Sequence, residues 1–234
     1  MASRRPLQLL LLAVPVSTYP TAFDSMLFER DVFQGALRRA PEGSAHTIFD
    51  VGANDGTWSL RLVKRINKTV AQKRLRVSIF MLEPQENLSR RLQAVEAKLK
   101  SFGVDARYLP YAASKRNSTQ QMSIQAGRRA DTTVAQLTGG TSAAANISGL
   151  LRLVKVSTID LAALVLAQLP AERSGGLAFL KLDTESYEYK LLPWLLTRGA
   201  LWYAAAGRGD TGGWASFCSN DATDPEAVAC PCHP

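Results

Sequence analysis

Apolar residues along this chain follow two patterns that alternate with each other. Short apolar runs, typical of strands buried in a sheet, occur at 46–51, 76–82, 106–109, 154–159 and 177–182. Between them, apolar residues recur at helical spacing, which predicts helices over 24–40, 58–70, 86–100, 160–169 and 187–196. Strands that alternate with helices indicate a parallel sheet with helices on both of its faces.

This alternation weakens in two places. Residues 112–150 are polar and rich in Gly, Ala and Thr, which predicts an insertion made of hairpins or loops. A further strand could begin at 199–203, but the pattern then stops, and 202–234 are expected to form an irregular or disordered tail. The expected fold is therefore an α/β domain over 24–201, a Rossmann-like open parallel sheet whose C-terminal strands are incomplete.

The first 23 residues have the composition of a signal or targeting segment. Arg4 and Arg5 precede a mostly apolar run over 7–16, and the segment contains no acidic residue. Prolines at positions 6, 15 and 20 argue against a first helix of the folded domain. The apolar run is too short to anchor the chain, so we expect no stable membrane span.

Glycosylation sequons support the same interpretation. Four of the six asparagines head an Asn-X-Ser/Thr triplet, namely Asn67, Asn87, Asn117 and Asn146. The sequons and the leader together favour the secretory pathway. An organelle transit peptide is the alternative, because the leader carries arginines and lacks acids.

Charge and cysteine content argue against two other classes of function. The chain has a net charge of +8, and a basic stretch spans 61–76 without interleaved aromatic residues. We interpret this stretch as a solvated helix face, and expect no nucleic-acid partner. All three cysteines lie after residue 217 with only His233 nearby, so no metal site is expected.

Three acidic residues fall at the carboxyl ends of predicted strands. Asp50 lies at the end of the first strand, Glu83 follows the second, and Asp183 follows the last. Ligands of open parallel sheets bind in the crevice outside these ends, where the strand order reverses. A carboxylate there can accept both hydroxyls of a ribose, which we assign to Glu83. Each acid could alternatively cap or flank a helix N-terminus.

The turn after the first strand distinguishes between nucleotide cofactors. Its Gly52 and Gly56 allow a sharp bend and a close approach of a ligand, but their spacing is not that of a dinucleotide-binding G-x-G-x-x-G turn. A carboxylate at Asp50 would repel a pyrophosphate and attract an ammonium. S-adenosylmethionine carries an ammonium and a sulfonium and no phosphate, so it is favoured over NAD, the remaining alternative.

Four segments, taken in order, resemble the FkbM-type methyltransferases. These segments are Ile-Phe-Asp-Val-Gly-Ala-Asn-Asp-Gly from position 48, Leu-Glu-Pro from 82, Val-Lys-Val-Ser-Thr-Ile-Asp-Leu from 154, and Leu-Lys-Leu-Asp-Thr-Glu-Ser-Tyr-Glu from 180. The resemblance covers roughly 47–201. It departs from the family at Ser186, where the family has glycine, and after 201, where further strands are absent.

The resemblance implies a class I methyltransferase fold with S-adenosyl-L-methionine as cofactor. It implies O-methylation of a hydroxyl on a sugar, glycan or small metabolite. By position, Asp50, Gly52, Asn54, Gly56 and Glu83 would bind the cofactor. Asp183 and Glu185 would lie where cofactor and acceptor meet, and Asp183 is the candidate base. The alternative is a truncated, inactive fragment that retains only the cofactor-binding half of the fold.

Overall fold

A computed structural model describes residues 8–13, 33–126, 133–137, 151–169, 177–184 and 187–201. The strands are β1 (Gln8–Ala13), β2 (Ala45–Val51), β3 (Arg76–Leu82), β4 (Asp105–Leu109), β5 (Ala112–Ser114), β6 (Ser118–Ala126), β7 (Thr133–Leu137), β8 (Leu151–Asp160) and β9 (Leu177–Leu182). The helices are α1 (Gly35–Arg39), α2 (Thr57–Gln72), α3 (Ser89–Lys100), α4 (Leu161–Gln168) and α5 (Glu188–Thr197), with a 3₁₀ turn at Glu86–Leu88.

Five of the strands form one parallel sheet in the order β1-β9-β2-β3-β4. The chain runs outward from β2 through β3 to β4, and then returns to place β9 on the other side of β2. The strand order therefore reverses at β2. The predicted α/β class with a parallel sheet and helices is confirmed, and the arrangement is consistent with a Rossmann-like fold.

Helices cover both faces of this sheet. On one face, α1, α2 and α3 pack against strand residues such as Ile48, Met81 and Phe179. On the other face, α4 and α5 pack against residues that alternate with these along the strands, including Phe49 and Leu180. Because successive side chains of a strand point to opposite faces, strands covered on both sides such as β2, β3 and β9 are apolar at most positions. Asp50 in β2 and Lys181 in β9 are polar exceptions.

The segment 112–160 adds a second sheet, in the order β5-β8-β6-β7. A hairpin within the predicted insertion is confirmed, because β6 pairs antiparallel with β7. The strand-like run 154–159 lies within β8, which pairs antiparallel with β6 over eight residue pairs and so belongs to this second sheet.

The outer strand β1 comes from the segment interpreted as a leader. Residues 8–13 pair in parallel with all six residues of β9. The rest of the leader, helix positions 24–32, Asn146, Glu185, Ser186, the cysteines and the tail 202–234 lie outside the described residues. Residues 199–201, where a further strand was expected to begin, form a turn.

Candidate functional site

The carboxyl ends of three neighbouring strands meet at the position where the strand order reverses. The last residues of β3 and β9 are both in register with Val51, the last residue of β2. The residues that follow, Gly52, Glu83 and Asp183, therefore leave the sheet side by side. Open parallel sheets bind ligands at such a position.

Gly52 makes the closest approach between two of these strand ends. A Cβ atom built at this position would lie 1.8 Å from the backbone oxygen of Asp183, and the backbone adopts φ of 75°. Only glycine combines this conformation with so close a neighbour. Gly56 has a different role, because a Cβ there would lie 3.0 Å from Val95 on α3. It is needed for packing rather than for lining a cleft.

Most backbone N–H groups of the turn after β2 already have acceptors. Those of Gly52 and Ala53 donate to the oxygen of Leu82 at 3.0 and 2.9 Å, and that of Asn54 donates to Glu83 Oε2 at 3.0 Å. At the start of α2, the N–H of Thr57 donates to Asp55 Oδ1 at 2.9 Å. A turn that binds a pyrophosphate leaves such N–H groups for the ligand. Here they are used within the chain.

Glu83 is buried, with 4% of its surface exposed. Its Oε2 accepts from Asn54 as above, and its Oε1 accepts from the backbone N–H of Gln85 at 3.1 Å. Burial raises the pKa of Glu83, against hydrogen bonds from Gln85 and Asn54 that lower it. The carboxylate is thus fixed in position at the end of β3.

Asp50 is fully buried and has two partners within the chain. Its Oδ2 accepts from the Ser59 hydroxyl at 2.7 Å, and its Oδ1 accepts from the Lys181 ammonium at 2.9 Å. Asp50 and Lys181 are in register on adjacent strands, which places their side chains together. Burial lowers the pKa of Lys181, but the charges of Asp50 and Asp183 outweigh it and raise the pKa above its ordinary value.

Lys181 also connects Asp50 to the cleft. Its ammonium donates to the backbone oxygen of Gly52 at 3.1 Å and lies 3.6 Å from Asp183 Oδ2. The ring of Trp58 lies 5.4 Å away on α2. Asp183 itself has 38% of its side chain exposed, so its carboxylate is accessible while Lys181 holds it on one side.

One cleft gathers most of the expected site residues. Gly52, Asn54, Glu83 and Asp183 line it, whereas Asp50 and Gly56 lie outside its lining, and Glu185 is outside the described residues. Residues of β5 and β6 in the second sheet, together with Tyr111 just before β5, form another part of the lining. The remaining lining residues are Leu82, Pro84, Gln85, Tyr111, Ala112, Ala113, Met122, Thr184 and Tyr187.

Two buried polar atoms of this lining have no hydrogen-bond partner among the described residues. They are Gln85 Oε1 and Thr184 Oγ1. Buried polar atoms are almost always hydrogen-bonded in folded proteins, so a ligand or a water molecule in the cleft would satisfy these two atoms. The residues present therefore fit a ligand that has both apolar surface and hydrogen-bond donors.

The sequence analysis missed three residues of this region: Lys181, Gln85 and Thr184. A signal for Lys181 was present, since a lysine in the middle of a buried apolar strand requires an acidic partner. Neither Gln85 nor Thr184 carries such a signal, because both are common at helix starts and turns.

The chain matches no family model, no curated protein and no solved structure. No helix in the described part of the chain has the length and apolar character that a bilayer crossing requires. Within the same residues, no group of three or more His, Cys, Asp or Glu side chains could hold a metal ion.

Proposed function

We propose that this protein is an S-adenosylmethionine-dependent O-methyltransferase of the class I, FkbM-like type, which acts on a hydroxyl of a sugar, glycan or small metabolite. The observation that carries the proposal is the cleft at the strand ends. It combines two acidic side chains, a glycine in close contact with the next strand, and a turn whose N–H groups are already paired.

The electrostatics of the cleft favour a cationic ligand without phosphate. Lys181 neutralises Asp50, but Glu83 and Asp183 add two further negative charges. A pyrophosphate would meet these carboxylates, and the N–H groups of Gly52, Ala53 and Asn54 are already paired, so they would not offset the repulsion. An ammonium and a sulfonium would be attracted to the same groups, which argues for S-adenosylmethionine over NAD.

In this proposal, the residues of the cleft have separate roles in binding the cofactor and in transferring the proton. S-adenosylmethionine, when bound, supplies a methyl group on a positively charged sulfur. Glu83 holds the ribose, and Gly52 and Asn54 shape the wall next to the methionine end. Asp183, with its accessible carboxylate, accepts the proton of the acceptor hydroxyl, while Lys181 fixes its orientation.

Three of the four sequence segments support the same family, since they lie at the strand ends that form the cleft. The first segment forms β2 and its turn, the second ends β3 and the last begins in β9, whereas the third lies in β8 of the second sheet. Entry into the secretory pathway, with an acceptor available there, is part of this proposal.

Calorimetric titration with S-adenosylhomocysteine and with NADH tests the cofactor. We expect heat of binding with the first and none with the second, and the reverse would overturn the proposal. Incubation with S-adenosylmethionine and a panel of free sugars then tests turnover by mass spectrometry. Binding without a gain of 14 Da in any acceptor would favour the alternative, a fragment that binds the cofactor and transfers nothing.

A further inference from the structure

Gln85 is a buried polar residue in the wall of the cleft, two residues after Glu83. Only 4% of its surface is exposed, and its Oε1 accepts no hydrogen bond from the described residues. An amide oxygen that has lost its contact with water and has no donor is costly to a fold. A ligand that donates a hydrogen bond to it would remove this cost.

Gln85 is bound to Glu83 through its backbone. Its N–H donates to Glu83 Oε1 at 3.1 Å, and both residues line the same cleft. The unsatisfied acceptor of Gln85 therefore belongs to the same wall as the carboxylate that we assign to the ribose.

Part of the accepting capacity of Glu83 is already in use. An ionised carboxylate offers about four lone-pair sites, and the backbone N–H groups of Asn54 and Gln85 occupy one on each oxygen. Gln85 Oε1, by contrast, accepts from no donor among the described residues, so it is the acceptor in this wall that most needs a ligand's hydroxyl.

We propose that Glu83 and Gln85 together bind the ribose of the cofactor, with one hydroxyl donating to the Glu83 carboxylate and the other to Gln85 Oε1. This inference rests on the proposed function, since it requires a ligand with an adenosine ribose. A vicinal diol supplies two donors on adjacent carbons, which matches the two acceptors that Glu83 and Gln85 place in one wall of the cleft.

Calorimetry with S-adenosylhomocysteine and its 2′-deoxy and 3′-deoxy analogues tests this assignment. In the unchanged protein, loss of either hydroxyl is expected to weaken binding about 5- to 10-fold. In the Gln85→Met variant, which keeps the side-chain volume, one analogue should bind as tightly as S-adenosylhomocysteine itself. The other should remain about 5- to 10-fold weaker.

Thr184→Val is the matched control, because it removes the other unsatisfied polar atom of the same cleft. Both analogues should still bind about 5- to 10-fold more weakly than S-adenosylhomocysteine in this variant. If Gln85→Met does not fold, Gln85→Asn withdraws the acceptor by one methylene and carries the same expectation.

The outcomes separate this inference from the proposed function. If S-adenosylhomocysteine binds, and both analogues remain equally weakened in Gln85→Met, Glu83 accepts both hydroxyls and the role of Gln85 is rejected. If neither deoxy change affects binding to the unchanged protein, the ribose does not contact this pair. If folded, unchanged protein does not bind S-adenosylhomocysteine, the proposed function and the inference both fail.

Discussion

Single residues hold the ends of the central strands in place, and Gly52 shows this most directly. Gly52→Ala would place a Cβ against the backbone oxygen of Asp183 in a backbone conformation that disfavours side chains. We expect a loss of roughly 3–5 kcal/mol of unfolding free energy. Denaturant titration measures it.

Gly43 provides a matched control for this substitution. Its φ is 72°, close to that of Gly52, but a Cβ there would meet nothing within 4 Å. Gly43→Ala should therefore lower the unfolding free energy by only about 1 kcal/mol, which comes from the backbone conformation alone. Equal losses at the two positions would show that the approach to Asp183 is unimportant.

The Asp50–Lys181 pair is the second test at this scale. Lys181→Met leaves the fully buried Asp50 without its countercharge, so we expect a loss of roughly 3–5 kcal/mol in unfolding free energy. Adding Asp50→Asn removes the unpaired charge and keeps an acceptor for Ser59, so the double variant should regain most of the stability. A double variant no more stable than Lys181→Met would contradict the ion-pair account.

For helices and strands, the sequence predicts which type of element a segment forms better than it predicts which strand that segment pairs with. The bounds of β3 and β9 are those of the apolar runs, because a strand buried on both faces is apolar at most positions. The composition of 154–159 indicates a strand but does not say which strand lies alongside, and the structure pairs it with β6 in the second sheet. The same holds for the site. Its acidic residues were predicted from the sequence, whereas the strand register that places Asp50 beside Lys181 was not.

β1 shows why an apolar run has two interpretations. The same residues, 8–13, suit the core of a signal peptide and an outer strand of the sheet, since both require apolar side chains. A chain from which the first 23 residues were removed would lack this strand. The hydrogen-bonding groups of β9 would then be open on that side.

Deletion of residues 1–13 tests the contribution of β1. We expect the Tm to fall by roughly 5 °C, and the protein to self-associate through the exposed β9. Deletion of residues 1–7 alone is the control, because it leaves β1 in place and should change neither property. A 1–13 deletion with an unchanged Tm and a monomeric mass by light scattering would show that β1 adds nothing to the sheet.

For the whole molecule, His46 makes stability depend on pH. It is buried at 1% exposure, and burial together with the charge of Lys73 lowers its pKa to about 4. As the pH falls, the unfolded chain takes up a proton on His46 near pH 6.5, before the folded protein does. The contribution of His46 to the unfolding free energy is therefore complete above that pH and declines as the pH falls towards 4. The unfolding free energy lost through this group is about 3 kcal/mol in total.

His46→Gln removes the titrating group and provides the comparison. Between pH 7 and 4, the unfolding free energy of the unchanged protein, measured by denaturant titration, should fall by about 3 kcal/mol more than that of this variant. Parallel loss in both proteins over that range would show that His46 does not titrate as its burial implies.

The measurement that tests the central claim most directly is NMR of the backbone amides during titration with S-adenosylhomocysteine. The amides of Asn54 and Gln85 both donate to Glu83, so they report on the cleft, while Gly43 and Gly103 precede β2 and β4 at the opposite end of the strands. We expect saturable shifts at Asn54 and Gln85 and none at the two glycines. Unchanged Asn54 and Gln85 signals at saturating ligand, or shifts there with NADH alone, would contradict the account.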